Sequence, residues 1–174
     1  MTDTLPTFLK QGEKARLIPI TADSNKEART LSVLLSMASA IPDLGHALFA
    51  SVGQRIGKRA KIDAYTEVVP QHNPANLKDR PDGLVVVSTG KRRWSAFIEA
   101  KIGNAGLKAE QIERYLELAK ANGVDAVITL SNDFTARVDH HPVQVSKKLT
   151  KKVGLYHWPW MWVYTQVVLL QMEQ

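Results

Sequence analysis

The segment WSAFIEAKI, residues 94–102, constrains the fold of this chain more than any other, because both of its faces are apolar if it forms a β-strand. Side chains alternate across a strand, so Ala96 and Ile98 point to one face while Phe97 points to the other. A strand that is apolar on both faces is typical of the centre of a sheet covered on both sides. The segment therefore predicts a central buried strand in an α/β protein.

Two charged residues, Glu99 and Lys101, stand at the end of this strand and share one face of it. A carboxylate and an ammonium group in such a place are costly unless they are paired, bound to metal or open to solvent. The end of the strand is therefore a candidate functional site.

A second carboxylate is predicted to lie at the same edge of the sheet. Residues 81–88 read as the preceding strand, with Asp82 near its start, and a turn containing Gly90 would fold the two strands into a hairpin. In that hairpin, Asp82 lies close to Glu99. Two converging carboxylates form the kind of oxygen site that Mg²⁺ or Mn²⁺ prefers.

Three short motifs in this region resemble those of the PD-(D/E)xK nuclease superfamily, including the QxxxY element of its RecB-type branch. In chain order they are Pro81-Asp82, Glu99-Ala100-Lys101 and QIERY from Gln111 to Tyr115. Each motif is weak by itself. Their order, with a turn between the two strands and a glycine turn before the helix, favours the resemblance.

The resemblance implies a restriction-endonuclease-like αβββαβ core with a mixed central sheet flanked by helices. It also implies that Asp82, Glu99 and the carbonyl group of Ala100 hold Mg²⁺ or Mn²⁺. Lys101 would then stabilise charge or position the attacking water. Gln111 and Tyr115 would support the site or contact the nucleic acid backbone.

Glu27 has two interpretations. A helix is predicted from Ser24 to Ile41, and Ser24 followed by Glu27 fits a capping box. Glu27 also lies one turn before Leu31 on the apolar stripe, where members of the resembled family often carry an acidic residue close to the metal. It is therefore either a helix cap or a further metal ligand.

The remaining pattern predicts one domain over residues 1–174, in which residues 1–22 are a loosely patterned lead-in whose apolar side chains dock on the body. A second helix follows Pro42 towards residue 56. Strands over 61–69, 81–88 and 94–102 precede a helix over 107–121 with a left-handed cap at Gly123. Two more strands follow, over 125–131 and 153–158, and the first of them comes after a right-handed crossover. A C-terminal helix from Pro159 completes the order α, β, β, β, α, β, β, α.

The chain carries a formal net charge of +6, which favours a polyanionic partner such as nucleic acid. Two basic stretches are either solvated loops or phosphate-binding surfaces. They are QRIGKRAK at 54–61 and the lysines Lys147, Lys148, Lys151 and Lys152.

The C-terminal helix, residues 158–174, is apolar on more than one side, which suggests a homodimer or another partner. The chain has no cysteine, so disulfides and cysteine zinc sites are excluded. No signal segment or membrane-length apolar run is visible, and we expect a cytoplasmic protein.

These observations predict a metal-dependent nuclease that acts on DNA. The alternatives are a nuclease-like domain that binds nucleic acid without cleaving it, and an assembly domain built around the C-terminal helix.

Overall fold

A computed structural model of the chain describes residues 5–19, 25–57, 59–73 and 80–172. Within these ranges the structure contains six strands and four helices. The strands are β1 (Leu9–Lys14), β2 (Lys61–Pro70), β3 (Gly83–Thr89), β4 (Arg92–Ala100), β5 (Ala126–Ser131) and β6 (Gly154–Pro159). The helices are α1 (Lys26–Ala40), α2 (Pro42–Ala50), α3 (Ala109–Asn122) and α4 (Trp160–Met172).

All six strands form one mixed sheet in the order β1-β2-β3-β4-β5-β6. From β1 to β4 each strand is antiparallel to its neighbour, whereas β4, β5 and β6 are parallel. The parallel pair β4 and β5 is connected through α3, as expected for a crossover. The predicted α/β class, with a mixed sheet flanked by helices, is confirmed.

The sheet is covered on both faces, which explains why β4 is apolar on both sides. Ala96 and Ile98 belong to the cluster that contains α1, α2 and α4 residues, while Phe97 belongs to the cluster beneath α3. Alternating residues of one strand therefore serve two separate cores. Glu99 follows this alternation and emerges on the α3 side of the sheet.

The lead-in predicted for residues 1–22 is partly wrong. Leu9–Lys14 forms the edge strand β1, and Leu17 and Ile18 are 57% and 85% exposed rather than docked on the body. The predicted cap Ser24 lies outside the described residues. Asn25 is the observed N-cap of α1, and its side chain accepts a hydrogen bond from the Ala28 N–H at 3.2 Å.

The other predicted elements are present with shifted ends. The helix after Pro42 stops at Ala50, several residues before position 56, and α3 ends at Gly123 in the predicted left-handed conformation. In the described part of the chain, no single helix is long and apolar enough to cross a membrane. Helices α1 and α2 meet that requirement only together, across a bend of 108°.

The bend between α1 and α2 brings the two helices into close contact at Gly45. A Cβ atom at this position would lie 2.5 Å from the Ala38 carbonyl oxygen and 2.6 Å from Cδ1 of Ile62. Backbone cannot retreat as a flexible side chain can, so the position accepts only glycine. Glycine at this site lets α2 pack against both α1 and β2.

We therefore expect Gly45→Ala to lower the free energy of unfolding by about 2 kcal/mol, although alanine is the better helix former. Gly57→Ala is the matched control, because a Cβ atom there would meet nothing within 4 Å. Chemical denaturation of both variants measures the difference. Equal stability of the two variants would show that α1 and α2 separate easily.

Candidate active site

The β3–β4 hairpin brings Asp82 and Glu99 to one end of the sheet. Gly83 pairs with Ile98 in the antiparallel register, so the residues just before β3 lie beside the last residues of β4. Asp82 Oδ2 accepts a hydrogen bond from the Ala100 N–H at 2.9 Å. The predicted convergence of the two carboxylates is therefore a direct result of strand register.

Glu99 is a buried carboxylate with an incomplete set of partners. Its side chain is 2% exposed. Its Oε1 forms a salt bridge with Lys101 Nζ at 2.6 Å and accepts a hydrogen bond from Gln111 Nε2 at 3.0 Å. The second oxygen, Oε2, is buried and has no hydrogen-bond partner among the described residues. An unsatisfied buried carboxylate oxygen is costly, and its persistence is typical of sites that bind a ligand.

Helix α3 supplies two side chains to the same network. Gln111 Nε2 also donates to the Tyr115 hydroxyl at 2.9 Å, and that hydroxyl donates to the Arg80 carbonyl oxygen at 3.0 Å. The Tyr115 ring itself is 1% exposed and packs in the core beneath α3. Tyr115 is thus both a core aromatic and a polar link between α3 and the chain entering β3.

Glu27 approaches the site from the first turn of α1. Its Oε2 lies 3.7 Å from Lys101 Nζ, and its Oε1 accepts from the Ile102 N–H at 3.4 Å. Because Asn25 caps the helix and Glu27 contacts Lys101 and Ile102, the position of Glu27 favours a role in the site over a role in a capping box. Lys101 therefore lies between two carboxylates, Glu99 and Glu27.

The electrostatics of the cluster follow from burial and from this crowding. Burial, together with the charge of Glu99, raises the pKa of Asp82 to about 7. Burial also raises the pKa of Glu99, although the hydrogen bond from Lys101 opposes the rise. Burial alone would lower the pKa of Lys101, but the hydrogen bond to Glu99 and the nearby carboxylate charges together outweigh burial and raise that pKa. The site favours added positive charge.

Two further contacts fix the backbone at the end of β4. The Lys101 N–H donates to the Leu130 carbonyl oxygen at 2.8 Å. The Lys101 carbonyl oxygen accepts from Trp160 Nε1 at 2.7 Å. Trp160 was not predicted as a site residue, and the sequence gives no signal for a contact between positions so far apart in the chain.

A cavity of about 460 Å³ opens beside this cluster. It is lined by Glu27, Lys101, Ala105, Gly106, Lys108, Gln111 and Arg114. Lys108 and Arg114 are basic residues that the sequence did not single out. The lysines of the loop between β5 and β6 are exposed and are not part of this lining. They are Lys147, Lys148, Lys151 and Lys152.

The donor set fits a hard divalent cation in part. No three His, Cys, Asp or Glu side chains converge as a metal site within the described ranges. Asp82 and Glu99 nevertheless offer two carboxylates at one end of the sheet, and the buried Glu99 Oε2 has no hydrogen-bond partner among the described residues. These oxygens, supplemented by backbone carbonyl and water, suit Mg²⁺, which commonly uses only one or two carboxylates.

The chain matches no protein-family model, and no curated protein is significantly similar to it. The function must therefore be argued from the geometry of the site.

We expect the raised pKa of Asp82 to appear as a pH dependence of stability in EDTA. The unfolded chain releases this proton near pH 4 and the folded chain at about 7, so the folded state binds more protons between these values. The contribution of Asp82 to the free energy of unfolding therefore decreases as the pH rises through this window.

Asp82→Asn removes this titration, so between pH 4 and pH 7 the stability of the variant relative to the parent should rise by about 3 kcal/mol. Glu117→Gln, an exposed change on α3, is the control and should give a curve parallel to the parent. Urea unfolding at several pH values measures all three. A constant difference between Asp82→Asn and the parent would contradict the assigned environment of Asp82.

Proposed function

We propose that this protein is a metal-dependent nuclease that hydrolyses phosphodiester bonds, with DNA as its substrate. The observation that carries the proposal is the buried Glu99 carboxylate, which meets Lys101 and Gln111 at one oxygen and leaves the other without a partner. Asp82 and Glu27 complete an acidic cluster around one ammonium group.

The arrangement of elements supports the same assignment. Apart from α2, which lies between α1 and β2, the elements α1, β2, β3, β4, α3 and β5 follow the order expected of an αβββαβ restriction-endonuclease-like core. Asp82 precedes the second of these strands, Glu99 and Lys101 end the third, and Gln111 and Tyr115 lie on the following helix. This is the distribution of the PD-(D/E)xK motifs, and we propose membership of that superfamily.

In this proposal, Asp82, Glu99 and the Ala100 carbonyl group would hold Mg²⁺ or Mn²⁺, with Glu27 as a further ligand. The bound ion would supply Lewis acidity and a water molecule of lowered pKa. Lys101, whose ammonium is fixed by two carboxylates, provides positive charge where the phosphate gains negative charge. Gln111 orients Glu99, and Tyr115 ties α3 to the chain before β3.

The charge of the protein and the cavity rim support a polyanionic substrate. The chain carries a net charge of +6, and Lys108 and Arg114 line the cavity beside Lys101. Nucleic acid phosphates would thus meet basic side chains next to the carboxylates. A cytoplasmic location belongs to the same proposal.

An assembly role is a second candidate, and α4 favours it. Met161, Tyr164, Leu169 and Met172 are exposed on α4, where apolar side chains are 48% to 78% exposed. A groove of about 490 Å³ runs between α2 and α4. We propose a second copy of this chain as the partner, which sedimentation at increasing protein concentration would detect.

The nuclease proposal predicts that cleavage of plasmid or single-stranded DNA requires Mg²⁺ or Mn²⁺. Asp82→Asn, Glu99→Gln and Lys101→Ala should each lower the cleavage rate at least about 100-fold, because each removes a charge from the reacting centre. Agarose and denaturing gels measure the rate.

The matched controls are Glu117→Gln and Lys120→Ala, which change the same charges at exposed positions of α3 and should cleave like the parent. Full activity of Lys101→Ala would refute the assigned mechanism. If the parent protein binds DNA but does not cleave it, the result would instead support the alternative of a non-catalytic binding domain.

Metal binding by Glu99 is tested without any activity assay. Excess Mn²⁺ should raise the melting temperature of the parent in proportion to RT ln(1 + [L]/Kd), and Glu99→Gln should lose most of this gain. Thermal melts in EDTA and in Mn²⁺ give the two shifts. An equal gain in both proteins would mean that Glu99 does not hold the ion.

A further inference from the structure

A second basic cavity lies at the opposite end of the β3–β4 hairpin. Its volume is about 570 Å³, and its lining includes Arg55, Thr89, Arg92, Arg93 and Trp94. Asp82 and Glu99 lie at the other end of these strands. The seven residues of β3 place the two ends roughly 20 Å apart, at about 3.3 Å per residue. The cavity is therefore separate from the carboxylate cluster.

The guanidinium groups around this cavity are not neutralised. No carboxylate in the described part of the chain pairs with Arg55, Arg92 or Arg93. The acidic residue in the lining, Asp125, uses its Oδ2 to accept from the N–H and hydroxyl of Ser95, at 2.8 and 3.3 Å. Arginine clusters of this kind suit phosphate, which accepts two hydrogen bonds from one planar guanidinium group.

The loop that carries Arg55 is held in place by the end of α2. Gly53 has φ of +79° and donates its N–H to the Ala50 carbonyl oxygen at 3.0 Å. Gln54 donates to the Phe49 carbonyl oxygen at 2.9 Å. These two bonds form a Schellman motif, in which a left-handed glycine is favoured. The backbone of Arg55 therefore follows an anchored turn.

Trp94 adds an aromatic surface beside the arginines. It is half-buried, and the Phe49 ring packs against it in an edge arrangement, with centroids 6.2 Å apart and an angle of 68° between the planes. A ring fixed in this way can stack on a nucleobase without losing rotamer freedom. The cavity also exceeds what a phosphate ion alone would fill and falls in the range of small-molecule sites.

We propose that this cavity binds a nucleotide unit, with its base against Trp94 and its phosphate held by Arg92 and by Arg55 or Arg93. The nucleotide is either free or part of a nucleic acid strand, since both offer the same chemistry. The proposal does not rest on hydrolysis at Asp82 and Glu99, and its test is performed in EDTA, where no metal-dependent cleavage occurs.

The test measures the fluorescence anisotropy of a labelled single-stranded 12-nucleotide DNA during titration with the protein. Arg92→Gln should weaken binding about tenfold and lower the salt dependence by roughly one phosphate contact. Lys91→Gln is the matched control, because it removes the same charge from the same turn but does not line the cavity. Its effect should stay below about twofold. Equal effects of Arg92→Gln and Lys91→Gln would overturn the proposal.

The base contact is tested with an abasic strand of the same length, so the protein need not be changed. The parent should bind the abasic strand at least about fivefold more weakly than the normal strand. Trp94→Leu should abolish this discrimination, whereas Trp94→Phe should retain part of it. If the parent binds both strands equally, the assigned role of Trp94 is wrong, even if Trp94→Leu does not fold.

Competition identifies the source of the nucleotide. Displacement of the labelled strand by dAMP, but not by inorganic phosphate at the same concentration, indicates a site for free nucleotides. Failure of both competitors, combined with the Arg92→Gln effect, indicates a site for a strand. Equal displacement by phosphate and dAMP would reduce the cavity to a simple anion site and refute the nucleotide assignment.

Discussion

A carboxylate is buried at the end of the central strand, and the elements around it are placed as its burial requires. Glu99 lies on the face of β4 that continues the core residue Phe97, so it has little access to water. Two donors, Lys101 and Gln111, compensate one of its oxygens. Each donor must in turn be positioned by an element that packs elsewhere in the protein. The site is therefore a product of core packing on both faces of the sheet.

The positions of the supporting elements follow from this requirement. Helix α3 must lie over β4 and β5 for Gln111 to reach Glu99, and its buried residues Ile112 and Leu116 hold it there. Helix α1 must begin near the end of β4 for Glu27 to approach Lys101, and Leu31 and Leu35 pack the middle of the helix against the sheet. The free energy gained from these apolar contacts thus offsets the cost of a charged cluster that is unfavourable by itself.

The sequence predicted the centre of this arrangement better than its borders. Alternation in β4 and a turn at Gly90 are local signals, and they were sufficient to predict that Asp82 and Glu99 meet. Strand β1 was missed because LKQGEK is an edge strand with one buried residue, Leu9, and lacks apolar alternation. Contacts such as Trp160 with Lys101 depend on how α4 packs, and no local pattern contains that information. The alternative interpretations of Glu27 could be separated only by the direction of α1 relative to β4.

The hydrogen bond from Trp160 to the Lys101 carbonyl oxygen links α4 to the end of β4. Trp160 is the first residue of α4, the helix whose outer side exposes Met161 and Tyr164. Trp160 can donate this hydrogen bond only while α4 begins beside the end of β4, so the packing of that helix is a condition for the observed position of the Lys101 backbone. The carbonyl group next to the ammonium-bearing side chain is therefore fixed from the helix side of the sheet on which α1, α2 and α4 pack.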